Sequence, residues 1–252
     1  MNLVKRSRHL INSIRIKIAE KQFDNQLKYI LNTNRSSDVL IVVFSGFPGK
    51  NGASYNYMRT LKEVKCNKLF ILDDFGYEHR GSYYLGESGD YYVKTKVIQL
   101  IDKIREELSI KTLITAGSSK GGTCAIMFGL LEKANTIIAG APQYYIGNYL
   151  SDEEKINILK GICGDNPNAV GELNSLLPDI IQNSSRKNVK IYLHYSINEH
   201  TYAEHIQYLI RDLEKSGFQV FKDIKDYSKH EEVALYFPSY LKEIVNLFVD
   251  FQ

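Results

Sequence analysis

The feature that most constrains the fold is a regular alternation of short apolar runs and helical patterns from residue 38 onward. The segment VLIVVFSG at 39–46 is almost continuously apolar and β-branched, as is typical of a strand buried on both faces of a parallel sheet. Further runs of this kind lie at 68–76, 111–118, 135–142, 189–196 and 218–224. Helical patterns separate them, at 54–65, 90–108, 121–133, 201–216 and 231–249. This order predicts an α/β fold with a mostly parallel sheet flanked by helices.

One connection in this pattern is unusually long. It covers residues 143–188, between the runs at 135–142 and 189–196. Ser151 and Glu154 have the spacing of a capping box that starts a helix, and 170–182 is a second helical stretch. Long insertions with their own helices at one end of a sheet often cover a binding site. We therefore predict a helical lid at 143–188.

The N-terminal segment, residues 1–34, has a different character from the domain predicted at 35–252. Its residues 3–31 are predicted to form a basic amphipathic helix, in which apolar side chains recur near helical spacing and basic ones occupy the other face. The apolar positions are Leu3, Leu10, Ile14 and Ile18, and the basic ones are Lys5, Arg6, Arg8, Arg15 and Lys17. Such a helix suits a peripheral position at the inner membrane face or a protein partner, but the absence of an acylation motif favours an accessory helix packed on the core.

Composition narrows the classes of function. The net charge of +3 is too small to indicate a nucleic-acid partner. The three cysteines are far apart and form no CxxC pair, which favours reduced thiols in a cytoplasmic protein. The basic N-terminus does not contain the uninterrupted apolar run that a secretory signal requires. His200 and His205 are five residues apart and do not share a helix face, so no metal site is expected, and no cofactor is predicted.

The segment TAGSSKGGTCAIMFG at 115–129 joins a predicted strand to a predicted helix through a glycine-rich turn. A turn of this kind can hold a phosphate or expose a nucleophile. A phosphate-binding P-loop requires a lysine after the second glycine, whereas Lys120 precedes the glycine pair, and the dinucleotide-binding spacing is absent. Residues 117–121 do fit G-x-S-x-G, the pattern of a nucleophile elbow.

Ser119 is the predicted nucleophile of this elbow. A sharp turn from strand to helix crowds the residues two before and two after the nucleophile, so both must be small. Gly117 and Gly121 meet that requirement around Ser119. Ser118 does not qualify, because Lys120 would then occupy a crowded position.

A serine nucleophile needs a base, an acid that orients the base, and an oxyanion hole. Of the six histidines, His230 alone follows the last strand, where the base is expected. Glu199 follows the strand at 189–196 and is the predicted acid, with Asp226 as the alternative. The backbone N–H groups of Phe47 and Lys120 are the predicted oxyanion donors.

The chain resembles the α/β-hydrolase superfamily over residues 38–252. The segments AGSSKGGTCAIMFGL, GAPQYYIGNYL and NEHTYAEHI are similar to a bacterial group of serine α/β-hydrolase-like proteins linked to capsular polysaccharide biosynthesis and accessory Sec glycoprotein export. The resemblance implies an esterase or an O-acyltransferase that acts on an acyl ester, such as an O-acetyl group of a cell-surface glycan. It carries the triad onto Ser119, Glu199 and His230. The first two strands of the superfamily sheet are missing, unless residues 19–34 supply one.

Several residues are candidates for substrate contact. Tyr144 and Tyr145 follow a strand beside the expected site and could stack on sugar rings, although core packing explains them as well. Arg80, His200 and the side chain of Lys120 are candidates for polar contacts. The alternative function is a catalytically silent scaffold of hydrolase fold in a capsule or glycoprotein-export complex.

Overall fold

The structure is a computed structural model that describes residues 16–49 and 52–249. Within these residues, eight strands form one sheet in the order β1-β2-β4-β3-β5-β6-β7-β8. The strands are β1 (Lys21–Phe23), β2 (Leu27–Asn32), β3 (Val39–Phe44), β4 (Asn67–Ile71), β5 (Thr112–Ser118), β6 (Thr136–Gly140), β7 (Lys190–Ser196) and β8 (Gln219–Lys225). Neighbouring strands from β4 across to β8 pair in parallel. Strand β1 pairs antiparallel with β2, and β2 pairs antiparallel with β4. The predicted α/β fold is confirmed.

Helices cover this sheet. They are α1 (Tyr92–Glu107), α2 (Lys120–Leu131), α3 (Ile146–Leu150), α4 (Ile156–Cys163), α5 (Ala169–Asn183), α6 (Gln207–Lys215) and α7 (Val233–Val249). A π-helical turn, Tyr202–Ile206, leads into α6, and a 3₁₀ turn, His230–Glu232, leads into α7. Helix α2 packs on β3, β5 and β6, and α7 packs on β5, β6 and β7. No helix in the described part of the chain is long and apolar enough to cross a membrane.

The central strands are buried along their whole length because helices or neighbouring strands enclose them. Every residue of β3, β4 and β6 is buried. Their apolar runs therefore remove a large apolar area from water, which is the main favourable contribution to folding. The carboxyl ends of β3, β5, β6 and β7 lie side by side, and the loops that leave them build the site described below.

The prediction for the N-terminal segment is wrong over residues 21–32. These residues form the hairpin β1–β2, which turns at Asp24 and Asn25 with positive φ angles of 51° and 57°. Strand β2 then pairs antiparallel with β4, so residues 19–34 supply two strands, where at most one was predicted. Residues 16–19 are helical, and the remainder of the predicted helix, 3–15, lies outside the described residues.

The helix predicted at 54–65 is also absent from the structure, where residues 58–63 form turns. Tyr57 has a positive φ of 59°, which interrupts helical geometry. The Lys68 ammonium from β4 then donates to the carbonyl oxygens of Leu61 at 3.2 Å and Val64 at 2.5 Å. These carbonyls are satisfied by a cation from the neighbouring strand instead of by a further helical turn.

The long connection contains helices α3, α4 and α5, as its composition indicates. Its predicted capping box does not form. Ser151 lies at the end of α3, where its hydroxyl donates to the carbonyl oxygen of Gly147 at 2.7 Å, and α4 begins only at Ile156. Because Ser151 already ends one helix, it cannot cap the next.

Candidate active site

The turn between β5 and α2 has the geometry of a nucleophile elbow. Ser119 has φ 53° and ψ −128°, a backbone conformation that residues other than glycine rarely adopt. It therefore indicates local backbone strain. A Cβ at Gly117 would overlap the carbonyl group of Gly121, and a Cβ at Gly121 would lie 2.5 Å from the carbonyl oxygen of Phe44. The steric argument for glycine at both positions therefore agrees with the structure.

In the structure, one hydrogen bond connects Ser119 to His230 and a second connects His230 to Glu199. The Ser119 Oγ lies 2.8 Å from His230 Nε2, and His230 Nδ1 lies 3.1 Å from Glu199 Oε1. Since Glu199 is an acceptor when ionised, Nδ1 carries the proton and Nε2 is free to accept the serine proton. This is the arrangement that general-base activation of a serine requires.

Glu199 is held as a carboxylate despite its burial. Burial raises its pKa, but the hydrogen bonds from His230 and Thr201 outweigh this effect and leave the pKa below its usual range. The Thr201 backbone N–H donates to Oε1 at 3.2 Å, and its hydroxyl contacts Oε2. The alternative acid, Asp226, is exposed and accepts a hydrogen bond from Asn198 at 2.8 Å, so it does not orient His230.

The two predicted oxyanion donors belong to loops that pack together. A Cβ at Gly46 would lie 3.8 Å from the carbonyl oxygen of Ser118, which puts the loop after β3 against the elbow. Neither Phe47 N–H nor Lys120 N–H has a hydrogen-bond acceptor among the residues that the structure describes. Both donors are therefore available to a developing oxyanion.

The side chain of Lys120 does not reach a substrate. Its ammonium is fully buried and pairs with Asp73 at 2.6 Å. The same carboxylate accepts hydrogen bonds from the backbone N–H groups of Ser82, at 2.9 and 3.0 Å, and Tyr84, at 3.1 Å. The prediction of a substrate contact through this side chain is wrong, because the ion pair occupies it beneath the elbow.

Gln143, which sequence reasoning did not identify, contacts the nucleophile. Its Nε2 donates to the Ser119 Oγ at 3.0 Å. The orientation of the amide is set by Tyr83 and Thr123, whose hydroxyls lie 3.3 Å from Gln143 Oε1. Its position directly after a strand end, in GAPQ, was the available signal, since parallel strands deliver their following loops to one edge of the sheet.

A cavity of about 740 Å³ lies beside these residues. The insertion contributes Tyr145, Asn148, Tyr149, Asp152 and Lys155 to its wall, and the segment after β7 contributes His200, Ala203, Glu204, His205 and Tyr208. Of the predicted substrate contacts, Tyr145 and His200 line this cavity. His200 Nδ1 also lies 3.0 Å from Glu199 Oε1.

Two other predicted substrate contacts do not line the cavity. Tyr144 is fully buried, and its hydroxyl donates to Asp212 at 2.7 Å. This placement assigns Tyr144 to packing. The guanidinium of Arg80 donates to the carbonyl oxygen of Glu154 at 3.2 Å and so ties its loop to the insertion.

Comparison with known proteins defines the class of fold. No protein-family model and no curated protein matches the sequence. Solved structures do match, and they include the fluorophosphonate-binding serine hydrolase F of Staphylococcus aureus, at a TM-score of 0.62 and 14% identity over 88% of this chain and 91% of that one. The chain has an α/β-hydrolase-like fold, and the resemblance predicted from the sequence is confirmed at that level.

Three further structures, which represent two proteins, are more similar. The capsule O-acetyltransferase of Neisseria meningitidis serogroup A superimposes with a TM-score of 0.74 and 21% identity, over 90% of this chain and 93% of that one. A mutant of that enzyme, in complex with CoA, gives 0.73 at the same identity, over 90% and 94% of the two chains. The glycosylation-associated Gap123 complex of Streptococcus agalactiae gives 0.69 and 18% identity, over 90% of this chain and 46% of that one.

Proposed function

We propose that this protein is a serine-dependent O-acyltransferase or esterase that acts through an acyl-enzyme on Ser119. The observation that carries the proposal is the continuous line of hydrogen bonds from Ser119 through His230 to Glu199. These hydrogen bonds start at a strained turn, beside two backbone N–H groups that have no acceptor among the described residues, as nucleophilic catalysis with an oxyanion hole requires.

In the first half-reaction, the Ser119 Oγ attacks the carbonyl carbon of an acyl ester or thioester, and His230 Nε2 takes its proton. Glu199 stabilises the imidazolium through Nδ1. The N–H groups of Phe47 and Lys120 donate to the oxyanion, and loss of one such donor typically costs about 3–4 kcal/mol of transition-state stabilisation. His230 then gives the proton to the leaving group, which departs and leaves an ester on Ser119.

In the second half-reaction, an acceptor hydroxyl attacks this ester, and His230 works in the opposite direction. Water as acceptor makes the protein an esterase, and a sugar hydroxyl makes it an O-acyltransferase. Similarity to a capsule O-acetyltransferase favours transfer of an acetyl group to a cell-surface glycan, and the CoA complex makes acetyl-CoA a donor to test.

The second candidate function is a catalytically silent scaffold in a glycan-synthesis or glycoprotein-export complex. Similarity to the Gap123 complex favours it. In that case the partner is a protein, and the basic segment at 1–34 is the candidate contact. A cytoplasmic location with attachment to a protein or to the inner membrane face stays a prediction.

A fluorophosphonate probe distinguishes these two functions, because it reacts only with an activated serine. We expect the wild type to be labelled, Ser119→Ala to be unlabelled, and His230→Ala to lose at least 99% of the labelling rate, since no base then takes the proton. Ser118→Ala is the matched control and should still be labelled. A wild type that does not react, in a folded state, contradicts the enzyme and supports the scaffold.

Gln143→Ala tests whether the amide contact to Ser119 contributes to reactivity. Its N–H stabilises negative charge on Oγ both as the serine attacks and as it later leaves. We expect labelling and turnover of p-nitrophenyl acetate to slow about tenfold, in keeping with about 1–1.5 kcal/mol for one hydrogen bond to a reacting atom. Unchanged rates would mean that Gln143 only packs.

A further inference from the structure

Two adjacent residues, Asn56 and Tyr57, contact both of the loops that carry the predicted oxyanion donors. Asn56 Oδ1 accepts a hydrogen bond from the backbone N–H of Gly46 at 2.9 Å. The hydroxyl of Tyr57 lies 2.5 Å from the Oγ of Ser118. Gly46 directly precedes Phe47 in the loop after β3, and Ser118 directly precedes the nucleophile. We call Asn56 and Tyr57 together the 56–57 turn.

The backbone of the loop after β3 is fixed on the side that precedes Phe47. The N–H of Ser45 donates to the hydroxyl of Tyr84 at 2.7 Å, and the N–H of Gly46 donates to Asn56. The N–H of Phe47 comes next and has no acceptor among the residues that the structure describes. Because each peptide group is planar, two consecutive fixed groups leave little freedom to the direction of the third.

The side chain of Phe47 is held from the opposite direction. Its ring packs edge-on against Tyr83 at 5.5 Å and stacks on Tyr149 at 6.1 Å. The ammonium of Lys120 lies 5.5 Å from the centre of the same ring, within the range of a cation–π contact. Lys120 therefore contacts the residue that supplies one predicted donor, and its own backbone N–H is the other.

The 56–57 turn is itself held by the core. The ring of Tyr57 packs edge-on against Phe237 of α7, with 5.3 Å between ring centres, and Phe237 is fully buried. The φ of Tyr57 is 59°, and a strained backbone of this kind persists only where its surroundings enforce it. Burial raises the pKa of Tyr57 to about 12, so its hydroxyl keeps its proton at neutral pH.

We propose that the 56–57 turn positions the oxyanion hole. By holding the loop after β3 against the elbow, it directs the N–H groups of Phe47 and Lys120 to one oxygen atom. The proposal rests on the acyl-enzyme function. When the Ser119 Oγ bonds to the carbonyl carbon, the π electron pair moves to the carbonyl oxygen, which then accepts from both N–H groups. Asn56 and Tyr57 are positioning residues, because they act through the backbone that they hold.

The first test is amide hydrogen exchange on the full chain, which needs no turnover. We expect the N–H of Gly46 to be protected in wild type and to exchange at least about tenfold faster in Asn56→Ala. The N–H of Asn34, which donates to Asn67 Oδ1 at 2.8 Å, is a matched internal control and should not change. Unchanged protection of Gly46 in Asn56→Ala overturns the proposal.

The second test removes the contact with the elbow. In Tyr57→Phe, we expect kcat for p-nitrophenyl acetate to fall about tenfold and KM to stay within about twofold, because a misplaced donor weakens contacts made in the transition state. Ser118→Ala removes the same hydrogen bond, so it should react equally slowly, and the double variant should be no slower than either.

Tyr55→Phe is the matched control for Tyr57→Phe. It removes the hydroxyl of a neighbouring tyrosine, which donates to Glu20 at 2.7 Å and contacts neither loop of the oxyanion hole. This variant should keep the kcat of wild type. Equal kcat values in Tyr55→Phe and Tyr57→Phe overturn the positioning role of Tyr57.

A thionoester substrate distinguishes positioning from a general loss of structure. Sulfur replaces the carbonyl oxygen in this substrate and is a weak hydrogen-bond acceptor, so it gains less from the two N–H groups. The ratio of kcat/KM for p-nitrophenyl acetate to that for its thionoester should therefore fall at least about threefold in Asn56→Ala and Tyr57→Phe. An unchanged ratio, with both substrates slowed equally, overturns the proposal.

Fluorophosphonate labelling separates this proposal from the proposed function. A wild type that is labelled, together with a lower ratio in both variants, supports both. A wild type that is labelled, with variants that keep the wild-type ratio, removes only the positioning role. A folded wild type that does not react removes the acyl-enzyme function, and the positioning role with it.

Discussion

The elbow around Ser119 and the cavity around His205 are built in different ways, although they adjoin. At the elbow, backbone atoms from β3, β5 and α2 approach so closely that a single added carbon would overlap them. In the cavity wall, mostly half-buried or exposed side chains surround open space. The reacting atoms are thus positioned by backbone packing, and ligand selection depends on side chains. The first arrangement should tolerate almost no substitution, whereas the second should tolerate many.

The largest expected change is in the free energy of unfolding, and substituting alanine at two glycines tests the contrast between the rigid elbow and a tolerant position. In Gly121→Ala, the new methyl group would lie 2.5 Å from the carbonyl oxygen of Phe44 and 3.2 Å from that of Ser45. Backbone cannot yield as a flexible side chain does, so we expect a loss of about 4 kcal/mol or more in the free energy of unfolding, or no folded protein. Urea unfolding measures it.

Gly171→Ala in helix α5 is the matched control. No described heavy atom lies within 4 Å of the added carbon there, and alanine favours a helix over glycine. We expect a gain of about 0.5–1 kcal/mol. If the two substitutions had similar effects, the elbow would not be the rigid region inferred here.

The next largest expected effect is the loss of stability when the buried ion pair between Lys120 and Asp73 is broken. Asp73→Asn leaves the fully buried ammonium of Lys120 without a counter-charge, and breaking a buried pair in this way typically costs about 3–5 kcal/mol. We expect about 3 kcal/mol in urea unfolding, since Asn retains part of the hydrogen bonding. The double variant Asp73→Asn with Lys120→Met removes the uncompensated charge while an amide oxygen still accepts from Ser82 and Tyr84, so it should recover most of that loss.

The control for Asp73 is an exposed ion pair, Lys62 with Glu63, whose side chains are 77% and 75% exposed. Glu63→Gln should leave the unfolding midpoint unchanged, because solvent screens such pairs. A small effect at Asp73 would show that water reaches the Lys120 pair.

A smaller effect is expected on the cavity side, as a dependence of stability on pH. The pKa of His205 is lowered to about 4 in the folded protein, against 6.5 when unfolded, so the unfolded chain binds more protons between these values. The resulting contribution is complete above pH 6.5 and is lost as pH falls toward 4. Between pH 7 and 4.5, wild type should lose about 2–3 kcal/mol more than His205→Gln in urea unfolding.

The pKa of His194 is also lowered, with burial as the main cause, and it adds a loss of the same sign in both proteins. The difference between wild type and His205→Gln therefore isolates His205. Parallel pH profiles for the two proteins would mean that His205 is accessible to water in the folded state.

The parts of this protein that the sequence predicted are those whose physical cause is local. The apolar run at 39–46 must be buried wherever it lies, and it is β3. A Cβ at Gly117 would overlap the carbonyl group of Gly121, four residues along the chain, so the spacing predicted this glycine, whereas the nearest contacts of a Cβ at Gly121 are with Phe44 and Ser45 of a distant segment. Ser119, Glu199 and His230 follow β5, β7 and β8, and the parallel sheet brings the loops after these strands to one edge.

The predictions that were wrong concern segments whose structure depends on residues distant in the sequence. In β2, the buried Leu27 and Ile30 are three residues apart, a spacing that suits a helix, and only pairing with β4 makes this segment a strand. Residues 58–63 form turns where a helix was predicted: Tyr57 has a positive φ, and the ammonium of Lys68, on β4, binds the carbonyl oxygens of Leu61 and Val64. Neither partner can be identified from the segment itself.

The sequence by itself determined the parallel part of the sheet, the elbow and the residues that follow the parallel strands, because side-chain periodicity and backbone sterics act over a few positions. Only the tertiary structure decided which polar groups are buried and what they face. It set Asp73 under Lys120, turned the amide of Gln143 toward Ser119, and left the Nε2 of His205 without a hydrogen-bond partner among the described residues. Burial and hydrogen bonding depend on residues that are distant in the sequence and that come into contact only when the chain folds.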